Sequence, residues 1–258
     1  MYFIDTHTHI YRESYPDNLE EVVRRAIDNN VTRMILGCVN SQTPAQINEA
    51  VALFPNNMFA LVGLHPEETK DDFEEELTLL EPHIEDDNVI GIGEIGLDYY
   101  WDRTYEKQQQ EVFYRQLCWA RDRKLPLSLH IRNAYPDAIH ILQKFKDGEL
   151  TGVMHCFSGG IQEAEWAVKH GFALGIGGVV TFKNNKLQEL LPQIGLEHIV
   201  LETDAPYMAP VPHRGKPNES SYIPIIAQKL AELFNVPLET VADQTTANAR
   251  KIFTKLKE

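Results

Sequence analysis

Residues 3–10 read FIDTHTHI. An apolar start, Tyr2, Phe3 and Ile4, runs into two imidazoles, His7 and His9, set two residues apart. On an extended strand, side chains at i and i+2 point to one face, so the two rings can address one point. A helical segment follows, with Asp17 placed to cap it, Glu20 at the capping-box position, and Val22, Val23, Ala26 and Ile27 as its apolar stripe. This first unit is therefore a strand, a ligand-bearing end and a helix.

The same alternation of short β-branched runs with longer helical-period segments recurs down the chain, which is the signature of βα units around a parallel sheet. After a first strand at 2–5, further strands are expected at 33–39, 59–64, 89–95, 127–131, 152–155, 172–177 and 199–203. The longest helix is expected over 105–124, stopped before Pro126; the one after Asn184 is short, and a pair over about 221–234 and 238–255 closes the chain. No Gly/Ser-rich linker, charge block or low-complexity tract divides the 258 residues, although the 209–219 loop is long and proline-rich. The expectation is an α/β protein: a single domain over 1–258, folded as a (β/α)8 TIM barrel with its active site at the C-terminal ends of the strands.

Composition narrows the partners. Lys and Arg total 24 against 38 Asp and Glu, a net charge of −14, which opposes broad adhesion to nucleic acid or anionic membrane and requires any polyanion to bind locally. The start lacks a basic segment followed by a long apolar run, and no apolar stretch approaches the roughly 18 residues that span a bilayer. A cytoplasmic monomer without a membrane partner is the expectation. Cys38, Cys118 and Cys156 show no CxxC pairing and read as reduced packing residues.

If the barrel is enzymatic, reactive groups should gather at strand ends, and they do. His7 and His9 end the first strand, Glu94 lies in the fourth, His130 in the fifth, His155 in the sixth, and Asp204 follows the eighth. One strand-end histidine is usually a satisfied polar residue, but coincidence over five strands points to metal. Imidazole with carboxylate suits Zn²⁺ or Mn²⁺. Six ligands exceed one tetrahedral site, so two ions about 3.5 to 4 Å apart are expected, bridged by Glu94. His7, His9 and Asp204 are assigned to one ion, and His130 and His155 to the other. His83, His140, His170 and His198 fall in helices or connections and are expected to face solvent.

At these residues the chain resembles the TatD family of metal-dependent deoxyribonucleases, within the amidohydrolase-like barrels. The resemblance covers nearly the whole chain. It rests on IDTHTH (4–9), GEIGLDY (93–99), PLSLHIRNA (126–134), HCFSG (155–159) and LETDAPY (201–207), with VGLHP (62–66) in support. It implies the same six metal ligands and two divalent ions, Zn²⁺, Mn²⁺ or Mg²⁺. Many members have HCH where Thr8 stands here; the middle side chain of the triplet points away from the ion, so ligation is unaffected. Glu94 also occupies the fourth-strand position from which many binuclear amidohydrolases take a carboxylated lysine, which weakens lactonase and dihydroorotase readings.

The expected activity is phosphodiester hydrolysis by metal-activated water, a deoxyribonuclease trimming 3′ ends of single strands. Glu94 and Asp204 are the expected catalytic carboxylates, with Asp204 taking the proton of the attacking water. Glu202, two before Asp204, and Asp5, two before His7, are read as orienters of ligands or as buried core carboxylates. Arg132 suits a phosphate oxygen or a rim salt bridge, His65 a phosphate or a ligand carboxylate, and Asp98 is placed to orient His65. Phe157, Tyr99, Tyr100, Trp101 and Tyr207 are candidates to stack on bases, or to pack. Two alternatives stand beside this: an ester or amide hydrolase, such as a D-aminoacyl-tRNA deacylase or lactonase, and a non-catalytic metal-bound scaffold.

Overall fold

In the computed structural model, which describes residues 1–15 and 18–256, the alternating pattern resolves into eight parallel strands. These are β1 (Phe3–Thr8), β2 (Val31–Leu36), β3 (Met58–Val62), β4 (Val89–Asp98), β5 (Leu127–Arg132), β6 (Gly152–Met154), β7 (Phe172–Ile176) and β8 (Ile199–Leu201). They pair in chain order. The helices α1 (Leu19–Asp28), α2 (Thr43–Leu53), α3 (Phe73–Leu80), α4 (Glu106–Arg123), α5 (Tyr135–Leu142), α6 (Ile161–Lys169), α7 (Leu187–Ile194) and α8 (Ile223–Phe234) follow the strands in turn, and α9 (Leu238–Ile252) ends the chain. This is a (β/α)8 barrel. No helix among the described residues is long and apolar enough to cross a membrane.

Local rules explain the elements. In α1 Val22, Val23 and Ala26 of the predicted stripe are buried together with Leu19, whereas Ile27 is half-buried; the proposed cap Asp17 lies outside the described residues. Lys124 ends α4 in the left-handed conformation, φ 54°, ahead of Pro126 and β5. Expected strand limits are off by a few residues: β1 runs on through Thr8, and β6 and β8 stop at Met154 and Leu201. His155 and Asp204 therefore sit on the loops just past their strands.

Barrel closure falls between β8 and β1. Thr6 Oγ1 donates to the Leu201 carbonyl at 3.0 Å, Asp204 N to the His7 carbonyl at 2.9 Å, and His9 N to the Ala205 carbonyl at 2.7 Å. Asp5 fastens the same seam. Its Oδ1 accepts from Thr203 N at 3.0 Å, and its Oδ2 accepts from Thr203 Oγ1 and Ser220 Oγ, both at 2.6 Å. Asp5 makes no hydrogen bond to an imidazole ring, because the β1 register is irregular between Asp5 and Thr8 and strict alternation fails there.

The two mouths differ in chemistry. Ile4, Ile35, Leu61, Ile90, Val153, Ala173 and Val200, one from each strand but β5, form one apolar cluster, and Phe253, beyond α9, packs among them. Phe253 is fully buried, so the N-terminal mouth is a closed apolar plug. The polar residues gather at the other end.

Candidate metal centre

Glu94 lies at the middle of the C-terminal mouth, on the ten-residue β4. Its carboxylate oxygens face different partners. Oε2 is 3.1 Å from His7 Nε2 and 3.3 Å from His9 Nε2, whereas Oε1 is 2.8 Å from both His130 Nδ1 and His155 Nε2. His9 Nε2 is also 3.5 Å from Asp204 Oδ1. All six residues singled out in the sequence thus converge. Donor atoms within 4.8 Å of one another form three triplets: His7, His9 and Glu94; His7, His155 and Asp204; and His65, Glu94 and His130.

The outer nitrogens of three of the central imidazoles have hydrogen-bond partners that fix the ring. His7 Nδ1 lies 2.9 Å from Ser128 Oγ, His9 Nδ1 3.2 Å from Tyr11 Oη, and His130 Nε2 2.7 Å from Asp98 Oδ2. With those nitrogens protonated, the inner ones present lone pairs to the centre. His155 Nδ1 faces Glu202 Oε1 at 3.5 Å, beyond hydrogen-bond geometry but close enough for charge to act, and Glu202 also takes a short hydrogen bond from Cys156 N. Glu202 is thus where an orienter of a histidine should be. Asp98 corrects the expectation made for it: it holds His130, not His65, because Gly96 and Asp98 pair in register with His130 and Arg132.

His65 is a further imidazole at the centre. Its Nδ1 accepts from Glu67 N at 3.1 Å, so in the neutral ring the proton is on Nε2, which points at Glu94 Oε1 at 3.3 Å. A protonated nitrogen cannot ligate a metal, so His65 presents a hydrogen-bond donor to the centre and not a ligand.

Electrostatics shows what is needed to balance this cluster. Burial disfavours charge on His9, yet the hydrogen bonds it donates to Asp204 and Glu94, and their charges, hold its pKa up at about 9. His130 is likewise raised to about 9 against burial, by Asp98 and Glu94. Burial dominates at His7, which with the charge of His155 is pushed down. Burial would raise the Glu94 carboxyl, but His155, His65 and His7 together hold it well below the usual range. Carboxylates this buried require positive charge beside them, which protons supply in the metal-free cluster and a divalent ion supplies better.

Space is reserved as well as charge. A Cβ added at Gly37 would lie 2.8 Å from His9 Cε1 and 3.0 Å from His7 Nε2, and one at Gly175 would collide with the Glu202 carboxylate. Asn133, Cys156 and Asp204, at the ends of β5, β6 and β8, adopt left-handed φ of 54°, 46° and 55°. Strained backbone of this kind collects at sites held in place by their surroundings. Imidazole nitrogens and carboxylate oxygens in this arrangement fit a divalent metal.

At the rim, Arg132 makes a cation–π contact, its guanidinium carbon 3.7 Å from the centre of the Tyr100 ring and 5.4 Å from that of Trp101. Tyr207 sits 6.3 Å from the His9 ring and is exposed. Phe157 and Tyr99 are buried packing residues. Of the histidines expected to face solvent, His140 does; His83, His170 and His198 are half-buried, with His83 on Asp86 and His170 stacked on Trp166. Sequence reasoning missed Ser128, Tyr11 and Gly37. The first two stand two residues from His130 and His9, so period-two spacing could have found them.

Comparison with known proteins agrees with this geometry. The model of the family described as TatD related DNase matches residues 4–254. An uncharacterized metal-dependent hydrolase of Bacillus subtilis, YabD, is 37% identical over 250 residues, covering 96% of this chain and 98% of its own. The 3′-5′ ssDNA/RNA exonuclease TatD of a Pantoea species is 33% identical over 240 residues, 91% of this chain and 92% of its own. The solved structure of YJJV, a TatD homolog from Escherichia coli K12, superposes with a TM-score of 0.89 at 30% identity, over 98% of both chains. The chain is a metal-dependent hydrolase and belongs to the TatD related DNase family.

Proposed function

We propose that this chain hydrolyses phosphodiester bonds at the 3′ ends of single-stranded nucleic acid, using two divalent ions that share Glu94. The observation carrying the two-ion reading is the split of Glu94, with Oε2 towards His7 and His9 and Oε1 towards His130 and His155. His7, His9 and Asp204 would hold one ion, and His130 and His155 the other. A donor set this rich in imidazole favours Zn²⁺ or Mn²⁺ over Mg²⁺, which prefers oxygen. When bound, the ions supply Lewis acidity at the phosphoryl group and make water acidic enough to attack at neutral pH.

The chain's own residues do the rest. The Asp204 side chain, 18% exposed against 4% for Glu94, is the more open carboxylate. Burial would raise its pKa, but the hydrogen bond from His9 and the charge of His155 hold it below the usual range, so it is ionised and able to take the proton of the attacking water. The new P–O bond forms as the bond to the departing sugar oxygen breaks, and the Nε2–H of His65 and the guanidinium of Arg132 stabilise charge on the phosphoryl oxygens. Tyr100 is 50% and Trp101 70% exposed, their ring centres 4.7 Å apart, and with Arg132 against them they offer a platform for a base. The active unit in this reading is a monomer with a single catalytic domain.

The test is incubation with a 5′-labelled single-stranded oligonucleotide and Zn²⁺, Mn²⁺ or Mg²⁺. A ladder growing from the 3′ end is expected, along with loss of bound metal by elemental analysis in Glu94→Gln. Intact oligonucleotide together with cleavage of a carboxylic ester would overturn the reading.

A further inference from the structure

We infer that the loops leaving β7 and β8 form a basic rim, made by Lys183, Lys186, Arg214 and Lys216, which binds consecutive backbone phosphates of the single strand whose end reaches the metal centre. The inference rests on the proposed function and adds to it where the retained part of the substrate lies.

The charge distribution carries it. The chain has a net charge of −14, and most arginines on its surface are matched with carboxylates: Arg12 with Glu20 and Glu49, Arg25 with Glu219, Arg115 with Glu74, Arg123 with Glu81 and Glu85. The four rim cations are set apart by their grouping in two stretches free of acidic residues. They are exposed, and none makes an ion pair with a carboxylate among the described residues. The stretches 177–188 and 205–218 contain no Asp or Glu at all. Four cations without a carboxylate between them, in so acidic a protein, make a local attraction for a polyanion that the net charge forbids elsewhere.

The two loops are joined and stiff. The Arg214 guanidinium lies 4.5 Å over the ring of Phe182, and Val211 N donates to Thr181 Oγ1 at 2.9 Å. Gln188 Nε2 donates to the carbonyls of Val180 and Phe182 at 2.8 and 3.0 Å, while Asn218 Nδ2 donates to those of Thr203 and Tyr207, both at 2.7 Å. Loops held this way lose little freedom on binding. They also lead to the chemistry, since the β8 loop starts at Asp204 and carries Tyr207 beside His9. His213 is not part of the rim, because it stacks on Tyr222 at 4.1 Å and acts electrostatically on Glu219.

Position in the barrel gives the substrate a direction. The rim follows β7 and β8, whereas the Tyr100–Trp101 platform and Arg132 follow β4 and β5, across the mouth. One aromatic pair accommodates one base, and four cations accommodate several phosphates. The departing terminal nucleotide therefore belongs on the platform and the retained chain on the rim. A small ester would leave the rim unused.

The test measures binding of a fluorescein-labelled 12-nucleotide dT or U strand by anisotropy, with chelator present so that nothing is cut. It compares the wild type with K183Q/K186Q/R214Q/K216Q and with a control of equal net charge, R24Q/K146Q/K169Q/K251Q. The rim variant should lose at least about tenfold in affinity at low salt, and its log K against log salt slope should shrink by about 0.7 per cation removed. The control should bind like the wild type and keep the wild-type kcat/KM on a dinucleotide. A rim variant with wild-type slope and affinity sinks the inference while leaving the proposed function standing. Equal losses in rim variant and control also sink it, because net charge would then be the cause. A wild type that fails to bind either strand here, and fails to shorten it once the chelator is replaced by Zn²⁺ or Mn²⁺, overturns the proposed function itself.

Discussion

Gly37 tests the metal centre without removing any ligand. A methyl group there would stand 2.8 Å from His9 Cε1 and 3.0 Å from His7 Cε1 and Nε2, while comfortable contact needs about 3.5 Å or more. The His9 ring must then retreat by about 0.7 Å, several times the roughly 0.2 Å within which metal–ligand distances are held. Gly37 needs no special φ, so the backbone accepts alanine and the perturbation falls on the two rings. Displacements of this kind typically cost 10- to 100-fold in metal affinity, about 1.4 to 2.7 kcal/mol. The assay is competition for Zn²⁺ or Mn²⁺ against a chelating dye, with thermal melts of the metal-free proteins alongside. Gly37→Ala should lose metal affinity while its metal-free melting temperature stays close to that of the wild type. Unchanged metal affinity would refute the claim that His7 and His9 converge on an ion beside Gly37.

Three other outcomes follow from the same geometry. His65→Ala should keep its metal content, measured by elemental analysis, and lose about 10²- to 10³-fold in kcat, since a donor is removed and no ligand; loss of metal would show that His65 ligates. Burial raises the Asp5 carboxyl from the usual 3.8 to about 7 despite its hydrogen bonds from Ser220 and Thr203, so the folded state binds the proton more tightly and stability falls as pH rises between those values. The wild type should accordingly lose about 4 kcal/mol relative to Asp5→Asn between pH 4 and pH 7.5 in denaturant titrations, and a pH-independent difference would refute this. In the metal-free protein, His9 and His130, raised to about 9, contribute stability that is complete below about 6.5 and lost as pH rises through 9. Bound metal replaces those protons, so the rise in melting temperature on adding metal should grow from pH 6 to pH 9, and a constant or shrinking rise would count against the site.

The convergence of these six residues was legible in the sequence because strand ends impose position: a (β/α)8 barrel brings every C-terminal strand end to one mouth, whatever the helices between them do. Residues identified by period-two spacing fared unevenly. Glu202 does face a ligand imidazole, but Asp5 does not, since β1 is irregular between Asp5 and Thr8. Asp98 was given the wrong partner because the pairing of Gly96 with His130 is a fact of register, which hydrophobic pattern does not encode when a strand is buried throughout. The rim was invisible for another reason. Phe182 and Arg214 are 32 residues apart in loops without periodicity, and only the folded backbone brings them together.

The two barrel mouths divide stability from chemistry. At the C-terminal end the fold buries carboxylates among imidazoles, leaves Glu202 Oε2 without a hydrogen bond and holds Asn133, Cys156 and Asp204 in left-handed backbone; each of these opposes folding. The apolar plug around Phe253 at the other end offsets them without touching the site. A metal-free cluster then needs protons to balance its charge, whereas a loaded one does not. A bound ion would therefore contribute to the fold as well as to the chemistry, and the seam at Asp5, which ties β1 to β8 beside His7 and Asp204, is where loss of folding and loss of the site should coincide.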